Sequence, residues 1–441
     1  MPLTGADCFL RAFDREIRRT AAASHVSQLV LRLGPGFDVE RFGKLIEQVA
    51  RAQPILRAPI GRRFALGPPV YRLAAATRCA LPTLRVVDAD PPRVPDARIS
   101  ELFAKQLNEP LSAARGELLR FDVVRYARGA AGTDFAASWL HMLFDGFGSE
   151  RFIAWLDACY RGAAGPDELP CAREFAPLPA DGRTLRARGD AARAWQSALR
   201  EMRAHSPHSL AGPRRRGLRQ ALDYARWRLS PEATARCVAR AARCAGALTP
   251  TPFYLAAAIR AHHAVFRARG ADPGSYVVPL AVNARPKGDA SAMFRTHVSL
   301  VWFQALRDQV DDLEALVALL KQQRLAAIKQ RRIEDAVCAM DFARFAPRWL
   351  YARMARSAFH GELCSFFFAF TGEFLEGVER CFGAEILDGF HVAPVPPSPG
   401  SCLALSLRAG RLGVTHTHQR GVFSARELEI FREQLERDLQ A

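Results

Sequence analysis

The chain has 441 residues, 49% of them hydrophobic and 24% charged, with a formal net charge of +17. That length allows one oversized domain or two ordinary ones, with ample chain for a core, and the composition is that of a soluble globular protein. No apolar run is long enough to span a bilayer. The N-terminus carries Asp7 and Asp14 and lacks a basic start with an apolar core, so no secretory signal is expected. The ten cysteines show no C-x-x-C spacing and read as reduced thiols, which makes a cytoplasmic location the expectation. Lysine occurs only at 44, 105, 287, 321 and 329, so the basic charge is nearly all arginine, whose planar fork suits phosphates and carboxylates. High-GC codon usage accounts for the same Arg and Ala richness. The basic residues are dispersed and no recognition motif accompanies them, so nucleic acid is not an expected partner.

An amphipathic beginning over residues 8–25 leads into a strand at 26–33, broken by Gly34-Pro35-Gly36. Asp38 then caps a helix through about Ala52. Short β-like runs and turns fill 55–90, a Pro-rich loop follows, and 99–107 reads as a helix. Strands are expected at 118–124 and 135–140, the second apolar and aromatic-rich. His141 stands where that strand ends, and the run continues Met142-Leu143-Phe144-Asp145-Gly146-Phe147-Gly148 into a helix with Ser149 as the expected N-cap. A histidine at such an element end is a candidate general base, since an imidazole near neutrality takes a proton from an alcohol or amine and returns it. The alternative is a packed core histidine. Asp145 either orients His141 as in a triad or pairs with a distant arginine and fixes the turn; Gly146 serves backbone conformation or clearance beside a ligand.

Residues 161–190 carry Gly, Pro and charge without sustained periodicity, and the predicted organisation is a first lobe at 1–175, a linker at 176–217 and a second lobe at 218–441. Within the linker 191–204 is helical, and Arg214-Arg215-Arg216 lies in a basic loop. Helices follow at 232–246 and 253–269, strands at 276–283 and 297–303, and a long helix at 311–332. Ser365 to Gly372 is a very apolar strand whose Ser365 and Thr371 hydroxyls are candidates for holding an oxyanion, with core and turn packing as the alternative. Strands at 401–407 and 411–419 precede a C-terminal helix at 425–440. His416 and His418 share one face of their strand, but no acid or cysteine pattern completes a site, so no metal is expected.

The H-x-x-x-D-G run after a strand resembles the signature of the chloramphenicol acetyltransferase and condensation-domain superfamily, which includes wax-ester, diacylglycerol and stand-alone alcohol acyltransferases. The resemblance extends over nearly the whole chain: Gln28 to Leu33 with Phe37 to Phe42 is similar to the family's first strand and helix, Pro54-Ile55-Leu56-Arg57-Ala58 to its P-x-L-R-A segment, and Val278 to Pro286 to its P-V-N-x-R strand. Where many members carry two consecutive histidines, the first is Leu140 here, and the catalytic second one matches His141. The resemblance implies an α/β fold, of α+β sandwich type, with two lobes and a central substrate channel. His141 is then the catalytic base, and Arg285 forms a structural ion pair with Asp145 beside Gly146. No permanent cofactor is implied; the co-substrate is acyl-CoA or a phosphopantetheinyl thioester on an acidic acyl carrier protein, and the acceptor is an alcohol or amine. The implied enzyme is a stand-alone acyltransferase; the alternatives are a condensation-type enzyme working on carrier-bound substrates in trans, or a catalytically silent scaffold. Peripheral contact with a membrane is compatible with the basic charge.

Overall fold

The computed structural model describes the chain except residues 22, 63, 65, 66, 91–100, 127–131, 172, 173, 176–182, 212–219, 286–291, 358–360, 396, 397 and 441, and the side chains of 20 and 354–357. The Arg214–Arg216 triplet therefore lies outside the described residues. In order, the first part of the chain forms α1 (Gly5–Thr20), β1 (Val26–Leu33), α2 (Val39–Ala52), β2 (Ile60–Arg62), β3 (Pro69–Tyr71), β4 (Thr83–Ala89), α3 (Glu101–Gln106), β5 (Leu119–Tyr126), β6 (Thr133–Leu140) and α4 (Gly146–Arg161). Then come α5 (Leu185–Arg203), β7 (Leu222–Arg228), α6 (Pro231–Ala245), α7 (Thr251–Ala268), β8 (Ser275–Asn283), β9 (Val298–Leu306), α8 (Leu313–Lys329), α9 (Arg332–Ala343) and α10 (Arg348–Ser357). The remainder is β10 (Phe367–Glu373), β11 (Arg380–Cys381), β12 (Ala384–Val392), β13 (Ser401–Arg408), β14 (Arg411–Gln419) and α11 (Ala425–Gln440).

Two six-stranded sheets organise the molecule, one ordered β11-β12-β1-β6-β5-β4 and the other β7-β14-β13-β10-β8-β9. The expected α/β class and two-lobed architecture are what the structure shows. In the first sheet β1 pairs antiparallel with both β6 and β12, which puts Val26 opposite Leu140 and Leu29 opposite His391. Strand β6 is buried along its whole length, all eight residues being buried. Helix α2 forms because Phe42, Leu45, Ile46 and Val49 recur at helical spacing on its buried face, and Asp38 accepts a hydrogen bond from the Arg41 amide at its start. Phe42 packs edge-on against Phe121 and Phe135, which seats the helix on the sheet. The second sheet carries α7 in its core, where Phe253, Leu255, Ile259 and Val265 are fully buried.

Several expectations change. The helix after the His141 turn starts at Gly146, and its N-cap is Asp145, whose Oδ1 accepts from the Gly148 amide; Ser149 lies inside the first turn. The single long helix expected at 311–332 is α8 and α9, separated at Arg331, which takes a left-handed φ of 55°. Helix α5 begins earlier than expected and occupies part of the segment expected as a linker. The segment expected as one second lobe, 218–441, lends Arg380–Val392 to the first sheet as β11 and β12. Strand β12 also meets the second sheet: its Asp388 pairs with Arg226 of β7 at 2.6 Å and with Arg228 at 3.3 Å. This crossover ties the two sheets together.

Candidate active site

His141 is the first residue beyond β6, and the turn it opens is held at every step. The His141 amide donates to the His25 carbonyl at 3.0 Å, and its own carbonyl accepts from Thr296 Oγ1 at 3.1 Å. The Met142 carbonyl accepts from the Tyr71 hydroxyl at 2.6 Å, and the Leu143 carbonyl from the Arg295 amide at 2.8 Å. The Phe144 carbonyl accepts from Trp139 Nε1 at 3.0 Å and from the His141 ring at the same distance. A buried turn with unpaired backbone groups would be costly, and here segments from both ends of the chain supply the partners.

The ring contact sets the tautomer. His141 Nδ1 lies 3.0 Å from the Phe144 carbonyl, which only accepts, so Nδ1 carries the proton and Nε2 keeps the lone pair. The side chain is half-buried. Burial lowers its pKa below 6.5, outweighing the Phe144 carbonyl and the Asp145 charge that act the other way. His141 is therefore neutral at pH 7 with one basic nitrogen available.

Asp145 does not orient His141. Its carboxylate takes a bidentate pair with Arg285, Nη1 to Oδ2 and Nη2 to Oδ1 at 2.9 Å each, and also accepts from the Gly148 and His297 amides at 2.7 and 2.9 Å. Both side chains are almost fully buried. Burial alone would raise the Asp145 pKa; the Arg285 charge and these hydrogen bonds outweigh it and hold the carboxyl below its usual range. Arg285 also donates to the Ala292 carbonyl, and its guanidinium lies over the Phe147 ring at 4.8 Å. Of the two alternatives for Asp145, the geometry is that of the distant arginine: a clamp joining the start of α4 to the end of β8.

The motif glycines differ. A Cβ on Gly148 would sit 2.2 Å from the Met293 carbonyl, so only glycine lets the two backbones approach. A Cβ on Gly146 would meet only His391 Cε1, at an ordinary 3.9 Å.

Two further histidines surround the motif. His25, buried just before β1, stacks on His141 with ring centroids 5.5 Å apart and planes 18° from parallel. His391 of β12 bonds Ser149 Oγ through Nε2 at 3.0 Å, and since the Ser149 hydroxyl donates to the Gly146 carbonyl, Nε2 is the donor. Burial, then the His141 charge, holds His25 well below its usual pKa and His391 down at about 3. Glu150 lies 3.7 Å from His391 Nδ1, and burial pushes its carboxyl up to about 7. None of these was singled out from sequence. His25 was findable in principle, because antiparallel pairing of the 26–33 and 135–140 strands puts the residue before one beside the residue after the other.

Ser365 and Thr371 are not brought to this turn. Ser365 is buried with its Oγ accepting from the Val277 amide at 3.0 Å, and Thr371 Oγ1 faces the Leu405 carbonyl at 3.5 Å, both bonds lying within the second sheet. Their geometry is that of strand packing. His416 and His418 do share a face, with ring centroids 5.3 Å apart, but they lie in the second core against Phe423. No helix among the described residues is long and apolar enough to cross a membrane.

With this geometry in view, the chain is similar along its full length to solved structures of one architecture. The first condensation domain of the CDA synthetase aligns with 100% of this chain and 95% of its own at 17% identity and a TM-score of 0.69. The TRI3 trichothecene 15-O-acetyltransferase of Fusarium sporotrichioides covers 100% and 95% at 12% identity and 0.70. The starter condensation domain of the rhizomide synthetase RzmA, solved with C8-CoA, covers 100% and 94% at 14% identity and 0.69. No protein-family model matches the chain and no curated protein matches it. The chain has the fold that condensation domains and this acetyltransferase share.

Proposed function

We propose that this chain is an acyltransferase in which His141 Nε2 is the general base. The acceptor, an alcohol or amine, gives its proton to Nε2 as its oxygen or nitrogen bonds the thioester carbonyl carbon. The carbon–sulfur bond then breaks, and the departing thiolate takes the proton back from the imidazolium. Acyl-CoA or an acyl group on a carrier protein is the donor, and no acyl-enzyme is formed. The observation that carries this reading is the bond between His141 Nδ1 and the Phe144 carbonyl, which leaves a half-buried, neutral imidazole with its basic nitrogen unengaged. Asp145 and Arg285 act as positioning residues, since their charges neutralise each other and neither contacts the ring by a hydrogen bond. Bringing donor and acceptor together beside one fixed base makes the attack nearly unimolecular.

The test is thiol release from a panel of acyl-CoAs with mixed alcohol and amine acceptors, comparing wild type with His141→Ala. Acceptor-dependent release that falls by about 10² or more in the variant is expected. Release that survives the substitution sinks the assignment, and release seen only from acyl carrier protein moves the donor from CoA to the carrier.

A further inference from the structure

A cavity of about 860 Å³ lies between α1, α5, β9, α9 and α10. That lies within the roughly 300–1,000 Å³ of sites that hold drug-sized ligands, and far above the ~150 Å³ apolar cavity that suffices for benzene. Its walls are largely apolar and include Phe13 of α1, Trp195 of α5, Trp302 of β9, Phe342 of α9 and Tyr351 of α10. No acidic side chain lines it among the described residues, and its charged lining is Arg193, Arg200 and Arg203 on one helix, α5. Arg193 and Arg200 are exposed, which places them at the mouth.

The position of the cavity points to a ligand rather than to loose packing, because it lies close to the base. Phe13 on its wall packs edge-on against His25 at 5.8 Å, and His25 stacks on His141 at 5.5 Å. Its inner wall is thus two rings from the imidazole.

Resting on the acyl-transfer reading above, we propose that this cavity holds the apolar chain of the acyl donor, a medium-length or longer acyl group rather than acetyl. The α5 arginines face the phosphate that a CoA or phosphopantetheine donor carries. Apolar chains gain free energy with each methylene withdrawn from water, so a chain filling the cavity binds about fourfold tighter per added methylene at full burial.

The experiment is calorimetric titration of the full chain with acetyl-, hexanoyl- and decanoyl-phosphopantetheine and with decanol, with no acceptor present. Wild-type affinity is expected to climb from acetyl to decanoyl, with decanoyl-phosphopantetheine above decanol. Ala192→Trp and Ala343→Trp fill the cavity from α5 and α9 and should weaken decanoyl-phosphopantetheine on the order of 100-fold, the worth of a few buried methylenes, flattening the climb. Equal wild-type affinities across the series overturn the proposal, whether or not either variant folds. A climb that survives in a folded variant also overturns it, and decanol matching decanoyl-phosphopantetheine overturns the assignment to the donor. Binding is read without turnover, so loss of the acyl-transfer reading would leave these affinities standing, and flat affinities with thiol release intact would remove the cavity alone.

Discussion

The molecule buries two groups of histidines, one in each sheet's territory. In the second core, His262 donates through Nδ1 to the Ala258 carbonyl at 2.9 Å and accepts from Ser401 Oγ at 3.2 Å through Nε2. Ser401 in turn accepts from His416 Nε2 at 2.9 Å. Both rings are sealed, His262 stacked on Phe366 at 3.7 Å and His416 on Phe431 at 4.5 Å. Burial, the first cause in each case, drops His262 to about 3 and His416 well below the usual range. Around the motif His141 is only half-buried, and its hydrogen bond falls on the nitrogen that chemistry does not need. What separates a candidate base from a core histidine is access to one nitrogen: Ser401 occupies Nε2 of His262 and of His416, while Nε2 of His141 is unengaged.

That contrast breaks most sharply at His141 itself. His141→Ala should cut acceptor-dependent thiol release by about 10²–10⁴ with the fold intact, whereas His416→Ala should disturb stability first. Next in size is the clamp. Arg285→Met leaves the Asp145 carboxylate buried without its charge partner, and an unpaired buried charge costs about 3–5 kcal/mol. A steep loss of chemical-denaturation stability together with activity is expected; unchanged stability would show that the pair does not hold the turn. Smaller again is Ser401→Ala, which strands hydrogen-bonding nitrogens of His262 and His416 at about 1–3 kcal/mol and should leave turnover at full rate in the folded protein. A fall in turnover larger than the fall in stability would join the two histidine groups functionally and undo the comparison.

Acid is the mildest probe. The folded-state pKa values of His262 and His391 lie near 3 against an ordinary 6.5. The unfolded chain therefore binds more protons below pH 6.5, and the stability these rings contribute is complete above that value and drains away as pH falls from 6.5 toward 3. Asp7 and Glu150 work the other way. Burial raises their carboxyls to about 6 and about 7, so the folded state takes up protons there as pH falls toward their ordinary values of 3.8 and 4.5. Burial holds His25 and His416 well below 6.5 too, so four histidines oppose two carboxyls and the melting temperature should be lower at pH 5 than at pH 7. A melting temperature that rises over that interval would show the carboxyls dominating.

Much of this was legible in the sequence because it is local. Strand 26–33 and the Asp38 cap follow from apolar runs and a capping residue, and the structure reproduces them. The His141 turn was visible as a strand end. Arg285 opposite Asp145 came from a resemblance, since nothing local links residues 140 positions apart. What stayed hidden is nonlocal. Strand β12 crosses into the other sheet, and its His391 enters the site only through pairing with β1. Ser149 looked like a cap because a hydroxyl before an apolar stretch usually is one, while Asp145 fills that role and binds Arg285 at once. The hydroxyls of Ser365 and Thr371 were plausible as oxyanion donors until the register of the second sheet assigned them to backbone partners.

The central claim is that a neutral His141, protonated on Nδ1 and open at Nε2, does the chemistry. Its most direct test follows the His141 ring by ¹⁵N NMR from pH 8 to pH 5 alongside acceptor-dependent thiol release in the same buffers. The account predicts the Nδ1–H tautomer at pH 8, protonation of Nε2 with a midpoint below 6.5, and a rate that falls with that same midpoint while the protein stays folded. An Nε2–H tautomer at pH 8, or a rate indifferent to the titration of His141, would contradict it.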